Sequence, residues 1–153
     1  MAVSVLMVCL GNICRSPLAE ATLRHHAARL GLDVIVDSAG TGDWHVGHPP
    51  DMRAQEVARR LGGIDVSALR ARQVILDDFH CFDHIIAMDH DNHRMLLNLA
   101  PADASAQLSL LLDHLPGQEG RSVPDPYYGD DADFERVLQL IDAATEQLMG
   151  SLR

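Results

Sequence analysis

A cysteine and an arginine enclose a short segment near the start of the chain whose residue types suit chemistry on an oxyanion. The segment reads Cys9, Leu10, Gly11, Asn12, Ile13, Cys14, Arg15 and Ser16. A thiolate is a strong nucleophile, and the planar guanidinium of an arginine can grip two phosphate oxygens at once. The pairing of Cys9 with Arg15 therefore predicts attack of a thiolate on phosphorus, with a cysteinyl-phosphate as the first product.

The same segment differs from a nucleotide-binding loop. It holds one glycine and no lysine, whereas the G-x-x-x-x-G-K-[ST] pattern needs two glycines and a lysine. Arg15 and the backbone N–H groups would supply the neutralisation that a metal ion gives in nucleotide-binding loops. We therefore expect neither a metal nor a cofactor.

The residues on either side predict how this loop is held. Residues 3–8 form a short apolar run typical of a strand buried on both faces. Ser16 and Pro17 are typical of the N-cap and first position of a helix, which Gly31 would end. In a loop between a strand and a helix, the N–H groups and the helix N-terminus create a positive field that favours a thiolate.

A general acid for the leaving group is expected in a second motif near the C-terminus. Asp125 stands between two prolines that restrict its backbone, and it is followed by Tyr127 and Tyr128. The two tyrosines could form aromatic side walls for a flat aryl substrate. Trp44, the only tryptophan, lies in a glycine-rich loop and could form a third wall.

The remaining hydrophobic pattern alternates strands with helices. Predicted strands cover residues 33–37, 82–88 and 107–112. Predicted helices cover residues 17–30, 51–61, 89–99 and 131–149. This order predicts an α/β fold with a parallel sheet and helices on both faces, and ligands of such sheets bind at the carboxyl ends of the strands. We expect four strands in the order 2-1-3-4.

Composition limits the functions that the chain can have. It has 153 residues, a formal charge of −10 and 47% hydrophobic residues, which indicates a single globular domain over residues 1–153. The negative charge argues against nucleic acid and anionic membranes as partners. With three cysteines and no recognisable secretion signal or spanning segment, we expect a reduced, cytoplasmic protein. A monomer or weak dimer is expected.

Taken together, the two motifs resemble those of the low-molecular-weight protein tyrosine phosphatases, and the resemblance covers essentially the whole chain. It rests on residues 9–17 and 125–128, supported by residues 37–40, Trp44 and residues 88–89. The resemblance implies a four-stranded parallel sheet and hydrolysis of phosphotyrosine in protein substrates. It implies Cys9 as nucleophile, Arg15 as phosphate clamp, and Asp125 as the acid that later serves as base for water.

The resemblance also implies supporting roles. Ser16 would hydrogen-bond the Cys9 thiolate, and Asn12 would hold a left-handed loop conformation tied by Ser38. Cys14 would be a redox neighbour able to form a reversible disulfide with Cys9. The backbone of the rest of the loop would bind phosphate, and Trp44, Tyr127 and Tyr128 would line the aryl pocket.

Two other functions remain open from the sequence. An arsenate reductase would use Cys9 on arsenate and a cysteine relay, for which Cys81 is a candidate, although no further cysteine follows it. A non-catalytic phosphotyrosine-binding or redox-sensing module would need neither Cys9 nor Asp125.

Several residues also have structural interpretations. Asp89 is expected to cap the helix that it starts, and Cys81 is expected in the core beside Phe82. Histidines recur at metal-ligand spacings in residues 45–48, 80–84 and 90–93, but scattered surface histidines explain these pairs better.

Overall fold

The computed structural model describes residues 2–152, which alternate strands and helices as the sequence predicts. The strands are β1 (Val3–Cys9), β2 (Val34–Gly40), β3 (His84–Ala87) and β4 (Gln107–Leu110). The helices are α1 (Arg15–Leu30), α2 (Met52–Gly62), α3 (Asp78–Cys81), α4 (His90–Leu99) and α5 (Asp131–Ser151), with a 3₁₀ turn at Leu111–His114.

The four strands form one all-parallel sheet in the order β2-β1-β3-β4, which confirms the predicted fold class and strand order. β1 is therefore an inner strand, with Cys9 opposite Gly40 of β2 and Val8 opposite Ala87 of β3. The loops that follow β1 and β3 leave the sheet at the same edge, because parallel strands end on the same side. Residues after Cys9 and after Ala87 are thereby brought together.

Both faces of the sheet are covered, and the side chains of β1 alternate between two cores. Val5, Met7 and Cys9 join a core formed with α1, α2 and α5, whereas Leu6 and Val8 join a second core with α3 and α4. An inner strand buried on both faces explains the continuous apolar run read from the sequence. Helical spacing of apolar residues in the last helix predicts one inward face, and that face is buried through Phe134, Val137, Leu138, Ile141, Ala144 and Leu148.

The start of the first helix differs from its prediction. α1 begins at Arg15, with Cys14 at the N-cap and no side-chain capping bond, so Ser16 is not the N-cap. The Ser16 hydroxyl instead lies 3.0 Å from the Cys9 sulfur. Residues 38–40 belong to β2 rather than to the following loop, because they pair with residues 7–9 of β1. Gly31 ends α1 in the left-handed conformation, as predicted.

Other corrections concern the second core and its surroundings. Cys81 is exposed at the end of the unpredicted helix α3, so the prediction of a core position beside Phe82 is wrong. Strand β3 is shorter than predicted, and residues 111–112 belong to a 3₁₀ turn rather than to β4. Apolar spacing in α2 and α4 predicts an inward position for Leu61, Met95 and Leu99, but all three are exposed.

Gly40 sets how closely the end of β2 approaches the loop after β1. A Cβ atom at Gly40 would lie 2.8 Å from the carbonyl oxygen of Leu10 and 3.2 Å from the carbonyl carbon of Gly11. Both are backbone atoms, so the loop itself would have to move. We expect Gly40→Ala to lower the free energy of unfolding by about 1–3 kcal/mol in urea denaturation.

The matched control for this substitution is Gly150→Ala. A Cβ at Gly150, in the last turns of α5, would meet no atom within 4 Å. This variant should be neutral or slightly stabilising, because alanine favours helix over glycine by about 0.5–1 kcal/mol. Equal stability of the two variants would show that Gly40 is not a packing constraint.

Candidate active site

A cavity of about 310 Å³ opens at the carboxyl end of β1, where the predicted site residues meet. Its lining residues are Cys9, Leu10, Gly11, Ile13, Cys14, Arg15, Trp44, His45, Asp125, Tyr127 and Tyr128. The structure thus brings together the cysteine-arginine loop and the aspartate motif, which are more than 100 residues apart in sequence. We call residues 9–15 the phosphate loop and residues 123–129 the acid loop.

Cys9 sits at the base of the cavity with 3% of its surface exposed. Its sulfur lies 3.0 Å from the Ser16 hydroxyl and accepts the backbone N–H of Asn12 at 3.3 Å. Donors of this kind stabilise negative charge on sulfur, since burial removes the water that would otherwise do so. The position suits a nucleophile that attacks a group held above it.

Asn12 fixes the curvature of the phosphate loop. Its φ of 58° is in the left-handed region, which the short polar side chain of asparagine tolerates best among non-glycine residues. The amide nitrogen donates to the hydroxyls of Ser16 at 2.7 Å and Ser38 at 3.0 Å, and the amide oxygen accepts the backbone N–H of Arg72 at 3.0 Å. Ser38 in turn donates to the buried carboxylate of Glu20 at 2.6 Å.

Backbone bonds from two neighbouring segments hold the rest of the loop. The N–H groups of Thr41 and Gly42 donate to the carbonyls of Cys9 and Leu10, and the N–H of Asp51 donates to the carbonyl of Ile13. These bonds turn carbonyl oxygens away from the cavity, which leaves loop N–H groups available for an anion.

Arg15 is buried, with 2% of its surface exposed, and it is held by groups just after β3 and in the acid loop. Its Nη1 donates to the Asp89 carboxylate at 2.7 Å and to the Val123 carbonyl at 2.9 Å, and its Nη2 lies 3.6 Å from Asp125. Burial alone would lower the pKa of Arg15, but the charge of Cys9 and the hydrogen bond to the Asp89 carboxylate outweigh it and raise the pKa. The guanidinium is therefore a permanent, oriented cation.

Asp89 has a second role that the sequence did not reveal. One carboxylate oxygen accepts the N–H of Asn92 at 2.7 Å and caps α4, as predicted, while the other holds Arg15. A helix cap has a local signature, but a partner 74 residues away has none.

Asp125 enters the cavity from the acid loop with its side chain 44% exposed. Its Oδ1 accepts the backbone N–H of Tyr127 at 3.1 Å, and its Oδ2 is the oxygen nearest to Arg15. The carboxyl therefore combines a fixed backbone position with access to solvent, as a group that exchanges protons with a reacting oxygen requires.

Aromatic rings surround the mouth of the cavity. The rings of Tyr127 and Tyr128 meet edge to face at 4.9 Å, with Tyr128 almost fully exposed and Tyr127 half-buried. Trp44 is also exposed and lines the cavity. His45, predicted to be a surface histidine, instead lies against Gly11 in the cavity lining and has its ring 6.3 Å from that of Tyr127.

Cys14 lies beside the nucleophile in a different environment. It is buried in the phosphate loop, where burial, followed by the charges of Asp51 and Cys9, raises the pKa of its thiol far above the usual range. The two cysteines of the loop are therefore suited to different chemistry.

The described residues contain neither a metal-binding cluster nor a membrane-spanning helix. Within the described residues, no three side chains of histidine, cysteine, aspartate or glutamate are grouped to hold a metal ion. Over residues 2–152, no helix is both long and apolar enough to cross a bilayer.

Comparison with known proteins identifies the relatives of this chain. The family model of the low molecular weight phosphotyrosine protein phosphatases matches residues 4–153. The low molecular weight protein-tyrosine-phosphatase YfkJ of Bacillus subtilis is 46% identical over an alignment of 153 positions, which covers 99% of this chain and 96% of the relative. The human low molecular weight phosphotyrosine protein phosphatase is 44% identical, with 89% of this chain and 87% of the relative covered.

Solved structures agree with these relatives. The crystal structure of a protein tyrosine phosphatase from Entamoeba histolytica superposes with a TM-score of 0.92 at 38% identity, covering 99% of this chain and 97% of the other. The chain therefore belongs to the low molecular weight phosphotyrosine protein phosphatase family.

Proposed function

We propose that this protein is a phosphotyrosine-protein phosphatase that hydrolyses aryl phosphate monoesters through a cysteinyl-phosphate. One observation carries the proposal: the buried Cys9 sulfur, with hydroxyl and amide partners, shares a single cavity with Arg15 and Asp125. Nucleophile, fixed cation and exposed carboxyl are the three groups that transfer of a phosphoryl group to sulfur and then to water requires.

In the first step, the Cys9 thiolate attacks phosphorus, and the bond from phosphorus to the tyrosine oxygen breaks. Arg15 and the loop N–H groups stabilise the charge on the phosphoryl oxygens, while Asp125 gives its proton to the departing oxygen. The products are free tyrosine hydroxyl, a cysteinyl-phosphate and an ionised Asp125.

In the second step, Asp125 accepts a proton from water as the water oxygen attacks phosphorus. The bond from sulfur to phosphorus breaks, and inorganic phosphate and the Cys9 thiolate are released. The Ser16 hydroxyl, 3.0 Å from the sulfur, stabilises the returning charge and so makes Cys9 a better leaving group.

The walls of the cavity favour an aryl substrate. Trp44, Tyr127 and Tyr128 would sandwich a phenyl ring, and the shorter side chain of phosphoserine would not bring its phosphorus to Cys9 at the base. Tyrosine-phosphorylated proteins are therefore the proposed partners, and the charge of −10 favours basic or neutral sequences around the phosphotyrosine. A single domain over residues 1–153, a cytoplasmic location and a monomer or weak dimer stay predictions.

The position of Cys81 counts against arsenate reduction. The Cys81 carbonyl accepts the Ser4 hydroxyl at 3.3 Å, which places it near the start of β1, whereas Cys9 ends that strand. Five residues of extended strand span about 17 Å. A disulfide needs Cα atoms within about 7 Å, so Cys81 cannot exchange directly with Cys9 in this fold.

The nucleophile is tested by Cys9→Ser with an aryl phosphate as substrate. Because a serine hydroxyl is a far weaker nucleophile at neutral pH, we expect kcat to fall by about 10⁴-fold or more, with the fold intact by circular dichroism. Cys81→Ser, at the exposed cysteine, is the matched control and should retain full activity. Substantial turnover by Cys9→Ser would contradict the proposal and leave a non-cysteine mechanism.

The acid is tested by Asp125→Asn across aryl phosphates with leaving groups of different basicity. Loss of a proton donor should lower kcat/KM by about 10²-fold or more for phenyl phosphate and much less for a p-nitrophenyl ester, whose oxygen needs little protonation. An equal loss with both substrates would show that Asp125 does not protonate the leaving group.

We also propose Cys14 as the redox neighbour of Cys9. Peroxide would oxidise the Cys9 thiolate to a sulfenic acid, and attack by Cys14 would then form the disulfide and release water. Its raised pKa keeps Cys14 protonated at neutral pH, so peroxide should react first with Cys9.

The redox role is tested by peroxide treatment followed by dithiothreitol. Wild type should recover most of its activity, whereas Cys14→Ser should lose activity permanently because its Cys9 is oxidised further. Equal recovery of the two proteins would contradict a protective disulfide.

A further inference from the structure

We propose that Arg53 is a positioning residue that holds the acid loop against the phosphate loop, and so places Asp125 over Cys9. The inference rests on the proposed function, because it assigns the way in which the general acid is held. Neither sequence motif contains Arg53, which lies in the first turn of α2.

Arg53 binds the acid loop through two main-chain oxygens. Its Nη2 donates to the Tyr127 carbonyl at 2.9 Å, and its Nη1 donates to the Gly129 carbonyl at 3.2 Å. The guanidinium carbon also lies 5.7 Å from the centre of the Tyr127 ring and 4.6 Å from that of Phe134 in α5. A planar guanidinium that contacts two carbonyls and two rings restricts both the distance of the acid loop from α2 and its orientation.

The same guanidinium is tied to the phosphate loop through Asp51. The Asp51 carboxylate accepts Nε and Nη2 of Arg53, each at 3.0 Å, while its own backbone N–H donates to the Ile13 carbonyl at 2.8 Å. Burial alone would raise the pKa of Asp51, but hydrogen bonds from Arg53 outweigh it and lower the pKa. The pair therefore stays ionised and joined at neutral pH.

Tyr127 transmits this restraint to the acid. The residue whose carbonyl accepts Arg53 is also the one whose N–H donates to Asp125 at 3.1 Å. At its other end the acid loop is anchored at Val123, which donates to the Met88 carbonyl and accepts Arg15. Arg53 supplies the second anchor, on the far side of Asp125.

Arg53 acts through these neighbours and not on the substrate. The residues that line the cavity, all within the described part of the chain, do not include it. Its loss should therefore leave the nucleophile and the phosphate clamp in place while the general acid becomes poorly aligned. Misplacement of a catalytic group by about 1 Å can cost up to about 10²-fold in rate.

The test is Arg53→Met in the full chain, measured as kcat/KM for phenyl phosphate and for p-nitrophenyl phosphate. We expect a loss of about tenfold or more with phenyl phosphate and less than about threefold with the p-nitrophenyl ester, because only the former depends strongly on the acid. Arg53→Lys should show the same selectivity with a smaller loss, since an ammonium cannot span both carbonyls. Arg53→Lys also tests the proposal if Arg53→Met folds poorly.

Arg60→Met is the matched control on the same helix. Arg60 pairs with Glu135 at 2.6 Å on the exposed surface of α2 and α5, away from the acid loop. This variant should retain the activity of wild type with both substrates. A leaving-group-selective loss in Arg60→Met would overturn the proposal, because any arginine of α2 would then give the effect.

A double substitution separates this proposal from the proposed function. If Arg53 acts through the acid, Arg53→Met should cause no further leaving-group-selective loss in an Asp125→Asn background. Equal losses of Arg53→Met with both substrates, or none, would overturn the positioning role even where Asp125→Asn behaves as an acid variant. A wild-type leaving-group pattern in Asp125→Asn would instead remove the acid itself, and the Arg53 proposal with it.

Discussion

The site depends on one constraint, the tight turn of the phosphate loop, residues 9–15, from the end of β1 to the start of α1. This turn must present N–H groups inward and keep a thiol at its base, which requires the left-handed backbone of Asn12. The sheet, the first helix and three neighbouring segments all contribute bonds that hold the turn closed. The fold can therefore be regarded as a frame that prevents this loop from relaxing.

That constraint explains how a protein with a charge of −10 can bind an anion. The only cation that lines the cavity within residues 2–152 as a permanent charge is Arg15, and it is buried. Asp89 orients it without removing its charge, and the loop N–H groups add their dipoles. Because the positive field is confined to the phosphate loop, the acidic surface affects which substrates approach more than how phosphate is held.

Much of the fold was predictable from the sequence because its signals are local. The apolar run of β1, the glycine that ends α1 and the inward face of α5 all appear where periodicity and turn residues place them. Ser16 shows where local rules fail: serine followed by proline is typical of a helix start, but here its hydroxyl serves the Cys9 sulfur. The prediction of a core position for Cys81 failed for a similar reason. Helix α3 has only one turn, so no periodicity reveals it.

The meeting of Cys9, Arg15 and Asp125 in one cavity was predictable from the sequence, whereas the contacts that hold them were not. Cys9, Arg15 and Asp125 belong to motifs whose chemistry can be read directly from residue types. Asp89 and Arg53 act through contacts with partners about 75 residues away, which no spacing rule reveals. Sequence therefore indicates which residues share the cavity better than it indicates the distant contacts that position them.

The proposed mechanism passes the phosphoryl group through the sulfur of Cys9. It is tested most directly by acid-free rapid denaturation of the enzyme during turnover of a phosphotyrosine peptide, followed by mass spectrometry of the loop peptide. We expect one phosphoryl group on Cys9 and none on Ser16 or Cys14. A loop peptide without phosphate in every sample, under conditions that preserve a synthetic cysteinyl-phosphate, or phosphate on another residue, would contradict it.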